Sequence, residues 1–354
     1  MMKMDTYEDT FTSRGERFLC VVQALFYRAA KRIATRSKSS LYYIVFGCLS
    51  LLPISSVCQE NLGNILILLS DNDDVYLDVA TTITNSTIKF CRNRELACQN
   101  SNFDIVQISS YTAQQHKNYR LIITLGIQAA LFTQQQITDA TIISALIPKR
   151  NDSIETSSEK NPQHHYLYLD QPPERSLLLI KTLSARFKNI GTLISDRDKA
   201  LAATLRTSAE RLGLTLYIEP IASTGYIGTS LNNLLDEIDI FLAIPDTDIH
   251  NKSTVSNILL STYRKRIPLI GFSSAYVKAG ALAAVYSSPV DIAHQVRDKI
   301  VDHFLDKPIP KRQQMDNYFS VLFNTDVARS LGFPIKSETK LKEKMMDHTR
   351  YDSE

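Results

Sequence analysis

The chain is poor in the residues that mark non-globular proteins. Its 354 residues include 11 Gly, 12 Pro, 5 Cys and no Trp. So few glycines and prolines exclude a collagen-like chain, and five cysteines in this length exclude a small disulfide scaffold. Because 44% of the residues are hydrophobic, the composition also excludes a disordered chain. What remains is an ordinary globular protein of roughly one to three domains.

Net charge is also nearly absent. The 40 basic residues outnumber the 37 acidic ones by a formal charge of +3, which is too little to favour nucleic acid as a partner. The excess lies at the N-terminus, where the stretch from Ser13 to Lys38 contains seven basic residues and one acid, Glu16. The basic bias therefore belongs to one segment and does not form a binding face.

That segment, a basic N-terminal extension at residues 1–40, leads into a long uncharged apolar run. The run, Leu41 to Val57, ends around Pro53 and small polar residues, which is typical of an export signal. We expect residues 41–58 to be a signal peptide cleaved near Cys58. A retained anchor in the inner membrane is the alternative, and a buried core helix is disfavoured because cations precede the run. Either topology places the rest of the chain in the periplasm.

The remaining cysteines and histidines give no metal or cofactor site. Cys91 and Cys98 could close a short loop in an oxidising compartment, or they could be two free thiols at a helix end. His164 and His165 are adjacent in a polar stretch that we interpret as a loop, and adjacent side chains do not converge on one ion. We expect no cofactor and no metal.

From Asn64 onward, short apolar runs alternate with amphipathic helical stretches. The first run, Ile65 to Leu69, is followed by apolar residues at helical spacing from Val75 to Phe90. Near-continuous apolar strands separated by helices predict α/β architecture with parallel sheets covered on both faces. Two such series, joined around residues 148–172, predict two doubly wound, Rossmann-like lobes.

The predicted boundaries follow from these series. We place an N-terminal lobe at residues 62–165, completed by a C-terminal crossover near 285–335, and a second lobe at 166–284. Pro289 to Phe304 is predicted to be a long closing helix. The charged tail at 337–354 is predicted to be frayed.

Ligands of open parallel sheets bind at the loops that follow the carboxyl ends of the strands. Hydroxyls, carboxylates, an amide and backbone N–H groups in these loops suit a small polar or zwitterionic ligand. The alternative for each aspartate is a plain helix N-cap. The candidate ligand-binding residues are Ser70, Asp71, Gly126, Gln128, Asp196, Asp246, Ser273 and Ser274.

Enzyme signatures are missing from the sequence. It has no G-x-S-x-G elbow, no phosphate-binding P-loop, no H-E-x-x-H pair, and no G-x-G-x-x-G after the first strand. The stretch Gly225 to Gly228 is interpreted as a flexible loop, with Tyr226 as a surface aromatic. We therefore expect no catalytic residues and no enzymatic activity.

Several blocks of sequence resemble the family of ABC-transporter substrate-binding proteins with the type I periplasmic-binding-protein fold, which includes tryptophan and tyrosine binders. The blocks are Leu121 to Ala130, Tyr168 to Arg175, Ile190 to Leu193, Pro245-Asp246, Thr254 to Arg264, Ile267 to Ser273, Val277 to Leu282, Phe319 to Val321 and Ala328 to Gly332. The resemblance spans roughly Asn64 to Ile335 and implies two α/β lobes joined by a three-strand hinge, closing on a small ligand. It does not transfer the identity of the ligand.

Two classes of function follow. The first is a solute receptor that binds an amino acid or a related metabolite and delivers it to an ABC permease. The second is an exported sensory or scaffolding homologue that is not coupled to transport. In both cases binding is the output, because ligand affinity shifts a balance between open and closed lobes.

Overall fold

The computed structural model describes residues 64–112, 119–137, 139–149, 163–222, 224–313 and 318–351. The predicted N-terminal extension and the signal peptide or anchor, residues 1–58, lie outside these ranges. Two separate sheets organise the described part of the chain, and helices cover both of them. The predicted two doubly wound α/β lobes are confirmed.

The first sheet is entirely parallel. Its strands are β1 (Asn64–Leu69), β2 (Phe103–Gln107), β3 (Tyr119–Leu125), β4 (Thr141–Ile147), β5 (His164–Tyr168) and β11 (Arg312–Gln313). Their order across the sheet is β11-β5-β4-β3-β1-β2. The helices of this first lobe are α1 (Asp74–Asn93), α2 (Ile127–Gln136) and α8 (Pro289–Phe304).

The second sheet is parallel except at one edge. Its strands are β6 (Asn189–Ser195), β7 (Thr215–Ile221), β8 (Ile240–Leu242), β9 (Leu269–Gly271), β10 (Ala283–Tyr286) and β12 (Ser320–Phe323). Their order is β12-β10-β9-β8-β6-β7, and β12 runs antiparallel to β10. The helices of this second lobe are α3 (Pro173–Leu183), α4 (Lys199–Arg211), α5 (Ile227–Leu234), α6 (Val255–Arg264), α7 (Ser274–Ala279), α9 (Thr325–Leu331) and α10 (Glu338–Tyr351).

Both faces of each central strand are buried, which explains the continuous apolar runs in the sequence. Along β1, Ile65 and Ile67 pack in a cluster with residues of α1 and α8. Leu66 and Leu68, which alternate with them, pack in a separate cluster with Ala129 of α2. Because successive side chains of a strand point to opposite faces, a strand between two helical layers needs apolar residues at every position.

The sheets correct the predicted lobe boundaries. Tyr166 pairs with Ser144 of β4, so it belongs to the first sheet and the second lobe begins after β5. The predicted crossover at 285–335 divides between the lobes, since α8 and β11 join the first lobe whereas β12 pairs with β10 in the second.

Three further predictions were wrong. His164 and His165 open strand β5 and are not in a loop, and His164 is only 1% exposed. The charged tail is not frayed along its length, because residues from Glu338 onward form α10, whose Leu341 and Met345 are buried in the core of the second lobe. Within the stretch read as a flexible loop, Tyr226 ends a short 3-10 helix and is exposed, and α5 starts at Ile227.

A disulfide joins Cys91 at the end of α1 to Cys98, with their Cα atoms 5.7 Å apart. Both cysteines are buried against Val301 of α8. The bridge therefore holds the turn after α1 against the neighbouring helix. Separately, no helix within the described ranges is long and apolar enough to cross a membrane.

A buried polar chain crosses three neighbouring strands of the first sheet. The Thr124 and Ser144 hydroxyl oxygens are 2.6 Å apart, and the Ser144 hydroxyl lies 2.6 Å from His164 Nε2. Burial, followed by the nearby positive charge of His165 and Lys311, lowers the pKa of His164 to about 3. The imidazole is therefore neutral in the folded protein at ordinary pH.

Removing the disulfide should lower stability. Replacing both Cys91 and Cys98 with Ala should cost about 2 kcal/mol of unfolding free energy, because an eight-residue loop closed by a bridge restricts the unfolded chain. Urea unfolding measures this loss. Reductant should destabilise the wild type and leave the double variant unchanged, and a reductant effect of equal size on both proteins would contradict the assignment.

Acidification should destabilise the fold through His164. An unfolded histidine binds a proton below about pH 6.5, whereas the buried one stays neutral until far lower pH, so unfolding free energy should fall as pH drops from 6.5 toward 4. At pH 5 the share of His164 is about 2 kcal/mol. His164→Gln should flatten this slope in urea unfolding between pH 7 and 5, and His294→Gln at the half-buried His294 should flatten it less. An unchanged slope in His164→Gln would refute the assignment.

Candidate functional site at the strand-end edges

The carboxyl ends of the parallel strands of each sheet share one edge, here called the strand-end edge. The chain leaves β5 at this edge and enters the second lobe through residues 169–172. It leaves β10 at the corresponding edge and returns to the first lobe through Ser287 and Ser288. A third crossing joins β11 to β12. Because the first two crossings are so short, both strand-end edges face the junction between the lobes.

One side chain joins the three crossings. The Gln171 amide nitrogen, in the first crossing, donates to the Ser287 hydroxyl of the second at 2.8 Å and to the Tyr318 carbonyl of the third at 3.0 Å. Its amide oxygen accepts from the Arg175 guanidinium. The Ser287 hydroxyl in turn donates to the carbonyl of Leu169 at 2.6 Å. The three crossing segments are thus joined by hydrogen bonds at a single point.

The third crossing is anchored in both lobes by adjacent residues. Tyr318 packs with the first-lobe core, and its hydroxyl donates to the Asp298 carboxylate of α8 at 2.7 Å. The next residue, Phe319, is buried in the core of the second lobe. Beside it, the Ser320 hydroxyl donates at 2.6 Å to Asp291, the residue whose side chain also accepts from the backbone N–H of Ser288. The change of lobe therefore occurs between Tyr318 and Phe319.

Ser70 and Gly126 lie together at the first strand-end edge. The Ser70 hydroxyl accepts from the backbone N–H of Ala129 at 2.9 Å, so it caps the start of α2. Gly126 has φ +92°, and a Cβ there would lie 2.6 Å from the Ser70 hydroxyl and 2.8 Å from the Tyr76 hydroxyl. Only glycine fits this position. The first amides of α2 lack partners within the helix and point toward the same edge.

Asp71 and Gln128, at the same edge, are exposed. Asp71 accepts from the backbone N–H of Asn72, and Asp73, which was not among the candidates, is the residue that caps α1. Tyr76, in the first turn of α1, was also missed. Burial, with Asp73 and Asp71 nearby, raises the pKa of its hydroxyl. In the sequence its one distinguishing feature is a phenol ring among the apolar residues of the helix.

Asp246 occupies the second strand-end edge, in the loop after β8. It is 7% exposed, and its side chain accepts from the backbone N–H of Asp248 at 3.0 Å. His250, from the same loop, lies 2.9 Å from the Tyr276 hydroxyl through its Nδ1 atom. Its ring also meets the edges of Phe272 and Tyr276. A buried carboxylate thus stands beside an aromatic cluster.

Burial lowers the pKa of His250 to about 4, although the Asp246 carboxylate acts in the opposite direction. The imidazole is therefore neutral at ordinary pH. His250 was not among the candidates. Its burial depends on Phe272 and Tyr276, which lie far along the chain, so no local signal could have identified it.

The remaining candidates differ in exposure. Asp196 is exposed, and its backbone N–H donates to the carbonyl of Ile221, which ties the loops after β6 and β7 together at 3.2 Å. Ser273 is the N-cap of α7 and accepts from the backbone N–H of Tyr276. Ser274 is half-buried at the start of that helix. The residues that cap helices here are Ser273 and, for α4, Asp198 rather than Asp196.

The polar groups at the two edges are hydroxyls, carboxylates, amides and backbone N–H groups. Among the residues that the structure describes, no group of three or more His, Cys, Asp and Glu side chains could hold a metal ion. The hydrogen bonds given above for Ser70, Asp196 and Ser273 stay within their own lobes. The arrangement offers amide donors on the first edge and a buried carboxylate with aromatic rings on the second.

Two solved structures are similar to this chain at low sequence identity. The ligand-free, open structure of a substrate binding protein with adhesive properties from Clostridium difficile is 16% identical, covering 78% of this chain and 96% of that chain, with a TM-score of 0.60. An ABC domain in complex with L-Trp from Streptococcus pneumonia is 20% identical, covering 79% of this chain and 98% of that chain, with a TM-score of 0.48.

No curated protein matches the chain. The family model described as ABC transporter substrate binding protein matches residues 73–332, which is most of the chain and includes every candidate site residue except Ser70 and Asp71. The resemblance noted in the sequence is thereby confirmed. The chain belongs to the ABC transporter substrate-binding protein family, and its role is the binding of a solute.

Proposed function

We propose that this protein is an extracytoplasmic receptor of an ABC-type uptake system whose lobes close on a small polar ligand, such as an amino acid or related metabolite. The observation that carries the proposal is the pair of strand-end edges, which face the lobe junction on either side of three short crossings. Polar groups lie on both edges, so a ligand between them could bind both lobes at once.

The charges of the two edges suit a zwitterion. The first backbone N–H groups of α2, beside Ser70 and Gly126, would donate to a carboxylate, since a helix N-terminus favours an anion. Asp246, with Asp196 nearer the surface, would accept an ammonium group. Gln128, Asp71, Ser273 and Ser274 would contribute hydrogen bonds from the edges. In this arrangement binding is the output, and no residue is assigned to catalysis.

Closure follows from the crossings. A ligand that contacts both edges binds the closed form more tightly than the open one, so it shifts the population toward closure by that difference in affinity. The chain changes lobe within short segments tied together by Gln171, so these segments would act as the hinge. The closed form would then be recognised by an ABC permease in the inner membrane.

The disulfide supports a location outside the cytoplasm. Bridges such as Cys91–Cys98 form and persist in oxidising compartments and are rare in the cytosol. The basic segment followed by the apolar run at 41–57 agrees with export, through either a cleaved signal or an anchor. We therefore propose a periplasmic location.

A thermal-shift screen of amino acids and small metabolites tests ligand binding. At least one compound should raise the melting temperature of the wild type, because a ligand that binds only the folded state stabilises it. Asp246→Asn should weaken the affinity for that compound roughly 10- to 100-fold, since a hydrogen bond to a charged group is worth about 1.5–3 kcal/mol.

Asp236→Asn is the matched control, because Asp236 is an exposed carboxylate of the same lobe that pairs with Lys265, away from the strand ends. It should bind like the wild type. If no compound shifts the wild type, the binding proposal fails, and equal affinity in Asp246→Asn would remove that residue from the site. For a ligand that is found, uptake that persists in cells lacking this protein would favour the sensory or scaffolding role.

The hydrogen bonds by which Gln171 joins the three crossings, here called the Gln171 clasp, should contribute to both stability and ligand affinity. Gln171→Glu keeps an acceptor for Arg175 but loses both N–H donors, so unfolding free energy should fall by about 1–3 kcal/mol. Calorimetric titration of the screened ligand should show weaker binding, because the crossings are less fixed. Gln136→Ala, at an exposed position of α2, should change neither quantity. A Gln171→Glu protein that matches the wild type in both would contradict a hinge role.

A further inference from the structure

The C-terminal helix α10 lies beyond residues 73–332, the part of the chain that the family model matches. It nevertheless packs into the second lobe. Leu341 is 3% exposed and Met345 is 0% exposed, and both belong to the core that contains α3, β10 and β12. These two residues are four positions apart, so they lie on one face of the helix.

This helix covers an open edge of the second sheet. Among the strands that the structure describes, β12 is the last on its side of the sheet, so none of them pairs with its outer backbone groups. The Glu338 carboxylate accepts from the backbone N–H of Phe323 at 2.9 Å. A charge-assisted hydrogen bond thus fixes the end of β12, the strand that begins immediately after the third crossing.

The helix also reaches the crossing itself. The Lys342 ammonium lies 5.1 Å from the centre of the Phe319 ring, and the Arg175 guanidinium lies 4.5 Å from the same centre. Cations at these distances are attracted to an aromatic ring. Because Arg175 also donates to Gln171, the Phe319 ring connects α10 to the clasp of the three crossings.

Phe319 follows directly on the residue that is anchored in the first lobe. Tyr318 is held there by Asp298 and Arg297, so the change of lobe occurs across one peptide unit. Any bending of the third crossing at this point requires that Phe319 stay fixed in the second lobe. Otherwise the rotation would spread into β12, and the closing movement would lose a defined axis.

We propose that α10 is a hinge brace: through Glu338 and Lys342 it holds β12 and Phe319 in the second lobe, and so confines lobe movement to the Tyr318–Phe319 junction. This inference rests on the proposed closure of the lobes around a ligand. It adds a regulating element outside the matched family region. A brace of this kind raises ligand affinity, because less of the binding free energy goes into ordering the third crossing.

Hydrogen exchange of the ligand-free protein tests the brace. Lys342→Met keeps an apolar side chain of similar length but removes the cation. It should speed exchange about two- to fivefold in peptides that cover the third crossing and the other two crossings, the change expected from one lost cation–π contact. The peptide of β1 in the first-lobe core should exchange as in the wild type, since a general loss of stability would affect it too.

Lys340→Met and Lys344→Met are the matched controls, because both lysines are exposed on the same helix. They should leave exchange at the crossings unchanged. Glu338→Ala is a second variant, expected to speed exchange along β12 and the crossings together. If neither Lys342→Met nor Glu338→Ala alters exchange at the crossings, the brace is overturned.

Measuring ligand binding to the same variants distinguishes a failure of this inference from a failure of the proposed function. With the compound found by the screen, Lys342→Met should bind about two- to fivefold more weakly than Lys340→Met. Faster exchange without weaker binding would overturn the link between α10 and closure. If the wild type binds no compound, the proposed function fails, whereas exchange at the crossings still decides whether α10 fixes them.

Discussion

The geometry of the molecule depends on the amide of Gln171, which cross-links the three places where the chain changes lobe. Its two N–H groups bond to the second and third crossings, and its oxygen accepts from Arg175. A carboxylate could not donate those two hydrogen bonds, and a hydroxyl group is too short to reach all three crossing segments. Because these hydrogen bonds join all three crossings, the amide holds the crossings at a fixed spacing and, through them, sets the direction in which the strand ends face.

The other residues of the junction are held by contacts in both lobes. The Asp291 carboxylate, in the first turn of α8, accepts from the backbone N–H of Ser288 and from the Ser320 hydroxyl of the second lobe, so a group that completes a helix cap also links the two lobes. Tyr318 and Phe319 are neighbours in sequence that pack in different cores. The junction therefore consists of segments whose ends are held in different lobes, and the proposed closure of the lobes relies on this arrangement.

Most of the fold was predictable because its signal is local. The apolar run Ile65–Leu69 predicts a buried strand by itself, and Pro289 with Ser288 before it marks the start of a long helix. The structure differs where tertiary contacts outweigh composition. In the charged tail, Leu341 and Met345 are surrounded in sequence by lysines and glutamates, so their burial gave no local signal. Strand β12 was not recognised because its four residues form a strand only by pairing with β10.

The candidate site was likewise predictable only where its signal is local. Ser70, Gly126 and Asp246 could be placed from strand ends alone, since parallel strands bring their loops to one edge. Tyr76 and the cluster of His250, Phe272 and Tyr276 could not, because their neighbours come from distant parts of the chain.

Gly126 restricts how this molecule could acquire a different solute preference. Any side chain at that position would collide with Ser70 and Tyr76 and would adopt an unfavourable backbone conformation, so the turn before α2 is closed to substitution. Sequence change is tolerated far better at the solvent-facing neighbours, Asp71 and Gln128. Divergence in selectivity among descendants of this chain would therefore accumulate around an invariant turn rather than within it.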